Sequence, residues 1–218
     1  MKKIILSLIF ALAFPAVASA KSGAYVGVNA NHSNARHKVA VISNDDAGTF
    51  NFNLVYPNIE TSEKNIGFGF DLGYKFSSNS VFIAPELFFD QLNNSAQDPL
   101  AADYGDYSVY KADRIVLNYR YGAKLNLGVN LTSKLAGFIS GGVANVDYDN
   151  EWQSFPARNY NGAKLAGIYG VGISYDLTDS ITAKASYDWQ KFAIRYGFEG
   201  WRSSVDLRVA KVGIAYNF

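Results

Sequence analysis

Residues 65–76 read NIGFGFDLGYKF. Ile66, Phe68, Phe70, Leu72, Tyr74 and Phe76 take the even positions, and Gly67, Gly69, Asp71, Gly73 and Lys75 the odd ones. Side chains alternate between the two faces of a strand, so a strand here has one wholly apolar face and one of glycine and charge. The pattern returns in RIVLNYRYGAKLNLG (114–128), KLAGIYGVGISYDL (164–177), SITAKASYDW (180–189), VFIAPELFFD (81–90) and AKVGIAYNF (210–218). In 114–128 the apolar side runs from Ile115 and Leu117 through Tyr119 and Tyr121 to Leu127. AYVGVNAN (24–31) alternates loosely, and LAGFISGGVANV (135–146) is small or apolar on both faces, which leaves its inner face open. Together these predict eight strands.

The connections alternate strictly. SSNS, VNLTSK and TDS are short enough for hairpin turns, whereas 32–64, 91–113, 147–162 and 191–203 are long. In the first long connection, KVAVIS (38–43) and TFNFNLVY (49–56) read as continuations of strands one and two; two further spanning strands are the alternative. Pro85 lies mid-strand without an N–H to give, which predicts a bulge or break near Ala84–Glu86.

Alternation alone does not say which face is inside. A soluble lipocalin-type barrel turns its apolar face inward, and a membrane barrel turns it outward. Four features favour the second. Glycines crowd the polar face, as a narrow eight-stranded bore requires. The charges on that face nearly balance: Lys75, Arg120, Lys124, Lys184 and Lys211 against Asp71, Glu86, Asp90 and Asp188, a lumen ion-pair network. Aromatics gather at both strand ends, with Tyr74, Phe76, Tyr175, Tyr216 and Phe218 near the short turns and Phe89, Tyr119, Tyr121, Tyr187 and Trp189 near the long loops. The strands match the roughly 9–11 residues needed to span a bilayer. Phe68 and Phe70 are therefore expected to face lipid.

The N-terminus agrees. Lys2 and Lys3, the apolar run IILSLIFALAF and the ASA before Lys21 have the form of a cleaved secretory signal, residues 1–20, leaving one domain over 21–218. Cysteine is absent, which excludes disulfides and thiolate chemistry. A net charge of +1 gives no reason to expect a nucleic-acid partner.

Over 21–218 the chain resembles the small eight-stranded outer-membrane proteins of Gram-negative bacteria: the outer-membrane protein A transmembrane domain, the outer-membrane protein X type and the opacity-like surface antigens. The signal peptide, the eight-strand meander, the short turns on one side and the closing KVGIAYNF carry the resemblance; APELFFD and LNYRYGAKLNL do so more loosely. It implies an all-β, antiparallel up-and-down barrel with periplasmic turns and four long extracellular loops. It also implies that Gly213, Tyr216 and Phe218 form the insertion signal read by the barrel assembly machinery. The partners implied are outer-membrane lipid and lipopolysaccharide, with a host-cell or extracellular ligand at the loops; the barrel is expected to be monomeric and without a cofactor. Unlike outer-membrane protein A, the sequence shows no peptidoglycan-gripping domain after the barrel.

Three functional classes follow. The first is loop-borne recognition, for which Tyr107, Tyr110, Trp152, Arg158, Arg195, Tyr196 and Trp201 are candidates, since aromatics and arginine concentrate at binding hot spots. In KFAIRYGFEGWR the apolar parity switches to Phe192, Ile194, Tyr196 and Phe198, which reads as the chain having left the membrane. The second is an outer-membrane enzyme acting on lipid A or protein. Its base would have to be His32 or His37, with Ser33 beside the former, and no placed carboxylate completes the set. The third is a small-solute pore, which eight strands and a charge-filled bore disfavour. Asp45, Asp46, Glu60 and Glu63 read as solvated loop charge before they read as a calcium site, and no metal-spaced cluster appears.

Overall fold

The computed structural model describes residues 22–41, 59–78, 80–97, 114–152, 158–195 and 201–218. The strands are β1 (Gly23–Val41), β2 (Ile59–Ser78), β3 (Val81–Gln97), β4 (Arg114–Asn130), β5 (Leu135–Trp152), β6 (Arg158–Asp176), β7 (Ile181–Arg195) and β8 (Trp201–Asn217). Each pairs antiparallel with the next, and β8 pairs back onto β1, closing the barrel. The strand count and the meander agree with the sequence.

Two of the short turns share one construction. Thr132 Oγ1 accepts from the amides of Lys134 and Leu135, and Thr178 Oγ1 from those of Ser180 and Ile181. A threonine hydroxyl thereby occupies the amides that the tight reversal leaves without ladder partners.

Strand length departs from expectation. The strands run 15–20 residues, well past what a bilayer requires. Lys38–Val41 belong to β1, as a continuation should; 42–58 lies outside the described residues. Pro85 makes no bulge, and the local break expected near Ala84–Glu86 falls in the ladder to β2, not in the strand itself. β3 runs straight through it, paired to Leu125 of β4, while the β2 ladder lapses at Tyr74 and Lys75 and resumes in the same register. Its missing N–H faces that lapse.

The outer surface carries a continuous apolar belt, including Ile66, Phe68, Phe70, Leu125, Ile173 and Ile214. Phe68 is 50% exposed. Toward the long-connection end the polarity inverts while each side chain keeps its place in the pleat. On β7, Trp189 and Lys191 point out and Gln190, Phe192 and Ile194 point in; on β8, Val205, Leu207 and Val209 are buried and Asp206 and Arg208 face out. These residues join Ala35, Leu92, Ile115, Leu117 and Val146 in an apolar core inside the barrel mouth.

Ile115 and Leu117 correct the expected parity of β4. Asn118 is an extra residue opposite the junction of Asp147 and Tyr148, so the pleat above it reverses and both side chains turn inward. In β3 the matching irregularity falls between Gln91 and Asn94, with Asn93 at φ 50°, a left-handed position that asparagine tolerates.

Two seams are incomplete. The β6–β7 ladder covers Ile168–Asp176 against Thr182–Gln190 and stops there, although both strands continue. The β2–β3 ladder stops at Gly69 and Asp90, but side chains stitch that gap: Asn94 donates to the Glu63 carbonyl, and Glu63 accepts the Ser95 amide.

Candidate functional site

The bore is filled in layers. At the short-turn end Tyr25, Phe82, Ala84, Ala136, Phe138 and Ala215 pack together. Strand β5 supplies Ala136 and Phe138, which assigns its even residues to the interior. Room for these rings comes from glycine: a Cβ on Gly73 would strike the Tyr25 ring, and one on Gly172 the ring of Phe138.

Above that layer lie four carboxylates and four cations. Arg120, 0% exposed, donates through Nε to Asp90 at 2.9 Å and through Nη2 to Asp188 at 2.9 Å. Lys124 reaches Glu86 at 3.3 Å and Asp188 at 3.6 Å, and Lys184 pairs with Glu86. Lys211 reaches Asp90 at 2.8 Å, Asp188 at 3.7 Å and Asp71 at 3.9 Å. The eight groups form one electrically balanced cluster. Charges removed from water are tolerable only when paired in this way, since the desolvation cost is several kcal/mol per ion.

Three neutral donors complete the acceptor side: Tyr25 to Glu86 at 2.6 Å, Asn126 to Glu86 at 3.1 Å and Asn29 to Asp71 at 3.2 Å. The Phe88 ring stands among the cations, with Lys211 Nζ 4.7 Å and Lys124 Nζ 5.3 Å from its centroid. A cavity bordered by Asp71, Lys124, Lys184 and Lys211 has a volume of about 10 Å³, at the lower limit for one water.

Eight of the nine expected lumen charges meet here. Lys75 lies nearer the turn end, its ammonium 4.6 Å from the Phe82 centroid. Tyr25, Phe82 and Phe88 also face the bore, beyond the expected set of charges. The available signal was that three aromatics stand on the face otherwise given to glycine and charge.

Of the aromatic girdles, Phe76, Tyr175, Tyr216 and Phe218 are exposed at one end, and Tyr119 and Tyr121 at the other; Phe89, Tyr187 and Trp189 are half-buried. Tyr74 differs. It has the outward parity but is only 7% exposed, its ring 4.5 Å from that of Phe76 and its Cα beside that of the small Ala24. Gly213 faces the bore, where a Cβ would strike the Val28 carbonyl, and Tyr216 and Phe218 meet edge-on outside at 5.0 Å.

His32 and Ser33 do not share a site. His32 is exposed on the outer face, whereas Ser33 is buried inside and donates to Asn94. Among the loop candidates, Tyr107, Tyr110 and Tyr196 lie outside the described residues. Trp152, Arg158, Arg195 and Trp201 stand at strand tops, not in free loops: Trp152 pairs with Arg158, Arg195 with Arg202 and Trp201 with Val41.

A closed eight-stranded barrel with an apolar exterior and a charge-paired bore defines a membrane-spanning β-barrel. Residues 4–218 match the family described as outer membrane protein beta-barrel domain, and the chain belongs to that family, which places it in the Gram-negative outer membrane. No curated protein sequence matches it. Among solved structures it is similar to AlkL in lipid bilayers (17% identity, TM-score 0.51, covering 94% of this chain and 95% of that one). It is also similar to OprG of Pseudomonas aeruginosa (12%, 0.48, 92% and 98%) and to Ail of Yersinia pestis (14%, 0.47, 91% and 100%). At such identities the likeness is one of fold.

Proposed function

We propose that the protein is a closed, monomeric scaffold that presents recognition surfaces outside the cell, and that it is neither a pore nor an enzyme. The observation that carries this reading is the balanced ion cluster packed between two apolar layers. Opening a water path would require breaking several desolvated pairs at once, each loss costing about 3–5 kcal/mol. The inverted core above the belt supports the presenting role, because it holds the strand tops as a rigid rim beyond the bilayer. Tyr216 and Phe218 serve as the signal for the assembly machinery, and no cofactor takes part.

Two measurements test the proposal. In planar bilayers the purified barrel is expected to give no steady conductance at the nanosiemens scale; sustained openings of that size would favour the pore. Deletion of each connection in turn (42–58, 98–113, 153–157, 196–200) is expected to abolish adhesion to host cells in at least one case, with membrane integrity kept. Unchanged adhesion in all four leaves a purely structural role.

A further inference from the structure

The ring layer at the short-turn end leaves one space unfilled. A cavity of about 130 Å³ lies against it, bordered by the rings of Tyr25, Phe82 and Phe138, by Ala84 and Ala215, and by Lys75 and Lys184. An apolar cavity of roughly 150 Å³ takes one benzene ring, so this space admits a single six-membered ring and little more. Phe82 and Phe138 meet edge-on with centroids 6.4 Å apart, and aromatic rings favour that same edge-to-face geometry toward a third ring. The small side chains of Ala84 and Ala215 hold the space open.

Charge is graded along the cavity. Asp176 ends β6, and Asp179 lies in the turn that follows. Lys75 and Lys184 stand deeper, each three residues inside a strand end, Ser78 of β2 and Ile181 of β7. Asp176 accepts from Thr182 Oγ1 at 2.8 Å, and that hydroxyl accepts from Asn217 Nδ2 at 2.9 Å. The outer edge is thus acidic and the inner part basic.

The two ammoniums face the rings. Lys75 Nζ is 4.6 Å from the Phe82 centroid, and Lys184 Nζ is 5.3 Å from that of Tyr25 and 5.8 Å from that of Phe138. Lys184 also pairs with Glu86, but an ammonium carries three N–H donors and one carboxylate does not use them all. Rings that already bear cations repel a cationic guest, whereas an anionic group between two ammoniums gains charge-assisted hydrogen bonds. Apolar walls with a few placed charges are the make-up of a small-molecule site.

We infer that the short-turn mouth holds a binding site for a one-ring aromatic carboxylate. The ring of the guest enters edge-on to Phe82 and Phe138, and its carboxylate accepts from Lys75 and Lys184. The Lys184–Glu86 pair forms the floor, so the site is a dead end and the bore stays sealed above it. It lies at the opposite end of the barrel from the long connections and is independent of what they recognise.

The test uses the full-length mature barrel in zwitterionic lipid nanodiscs at neutral pH, with 4-fluorobenzoate as probe and its fluorine NMR signal as readout. The native barrel is expected to bind the probe saturably, with benzoate displacing it and acetate failing to do so at the same concentration. K75Q should weaken binding by about tenfold or more. A215L puts a larger side chain into the space and should abolish binding. K134Q removes an exposed lysine of the same end that stands outside this cavity, and should bind as the native chain does. Heat-modifiable mobility on gels establishes that each variant is folded; should A215L fail to fold, A84V fills the space from the other wall. Absence of saturable binding, or equal binding by the native, K75Q and A215L chains, overturns the inference. Displacement by acetate as effective as that by benzoate also overturns it, because the ring would then contribute nothing. A loss in K134Q equal to that in K75Q does the same, since it would mean non-specific attraction.

Discussion

Arg120 donates to carboxylates from two different strands, Asp90 of β3 and Asp188 of β7, and so ties opposite walls of the bore together. A lysine cannot hold both oxygens in one plane, so the guanidinium fork is specific to this position. Arg120→Met is expected to lower unfolding free energy by about 3–5 kcal/mol, read by urea unfolding from lipid vesicles, because two carboxylates lose a shared partner in a dry interior. Adding Asp188→Asn to that variant is expected to recover a substantial part of the loss by restoring charge balance. His37 belongs to a different layer. It points inward above the belt, buried, with neither ring nitrogen bonded to protein among the described residues, and burial pushes its imidazole down to about 4. The folded state holds it neutral, while the unfolded chain protonates it near 6.5. Between those values the unfolded state binds more protons, so stability falls as pH falls through 6.5 and the loss is complete below about 4. At pH 5 the deficit is about 2 kcal/mol. His37→Phe should remove that share of the difference between pH 7.5 and pH 5 unfolding curves; an unchanged difference would place the titration elsewhere.

At the scale of the strand, alternation was enough to count the elements and to assign the faces of β2, β6 and β8 within the belt. It failed where its own premise changed. Sequence reading takes the end of an apolar-out pattern as the end of a strand, but Phe192, Ile194, Val205 and Leu207 continue the same strands with the solvent relation reversed. Ile115 and Leu117 were placed outside because a single extra residue, Asn118, shifts the pleat, and bulges leave no periodic trace. The charged half of the bore was legible as matched signs on one face. Its aromatic half was legible only through parity, since Phe82 and Phe88 share a face with Glu86 and Asp90 while an aromatic ring by itself suits either side. The β6–β7 seam, which depends on pairing between strands, is equally invisible in a single chain. Its expected signature lies in hydrogen exchange. Amides of 162–167 and 191–194 that point across the seam should exchange about 100-fold faster than those of 182–190 in the closed part of β7. Equal protection would mean that the ladder closes in solution.

For the molecule as a whole, the three layers divide the labour. The middle one seals, the lower one fills the mouth at the short turns, and the upper one extends a folded wall into water. From Trp189 to Arg195 the wall rises by about 15 Å, taking roughly 3.3 Å per residue and a tilt near 40°. That wall behaves as a pedestal, and its height is set by how many residues each strand carries past the lipid. Trimming two residues from every strand top would lower whatever sits on it by about 5 Å without altering one displayed side chain. Flow cytometry with an antibody fragment against a displayed segment is expected to lose signal on cells with a full sugar coat and to keep it on cells whose coat is truncated. In a crowded polysaccharide layer, visibility is then a matter of elevation as well as of sequence.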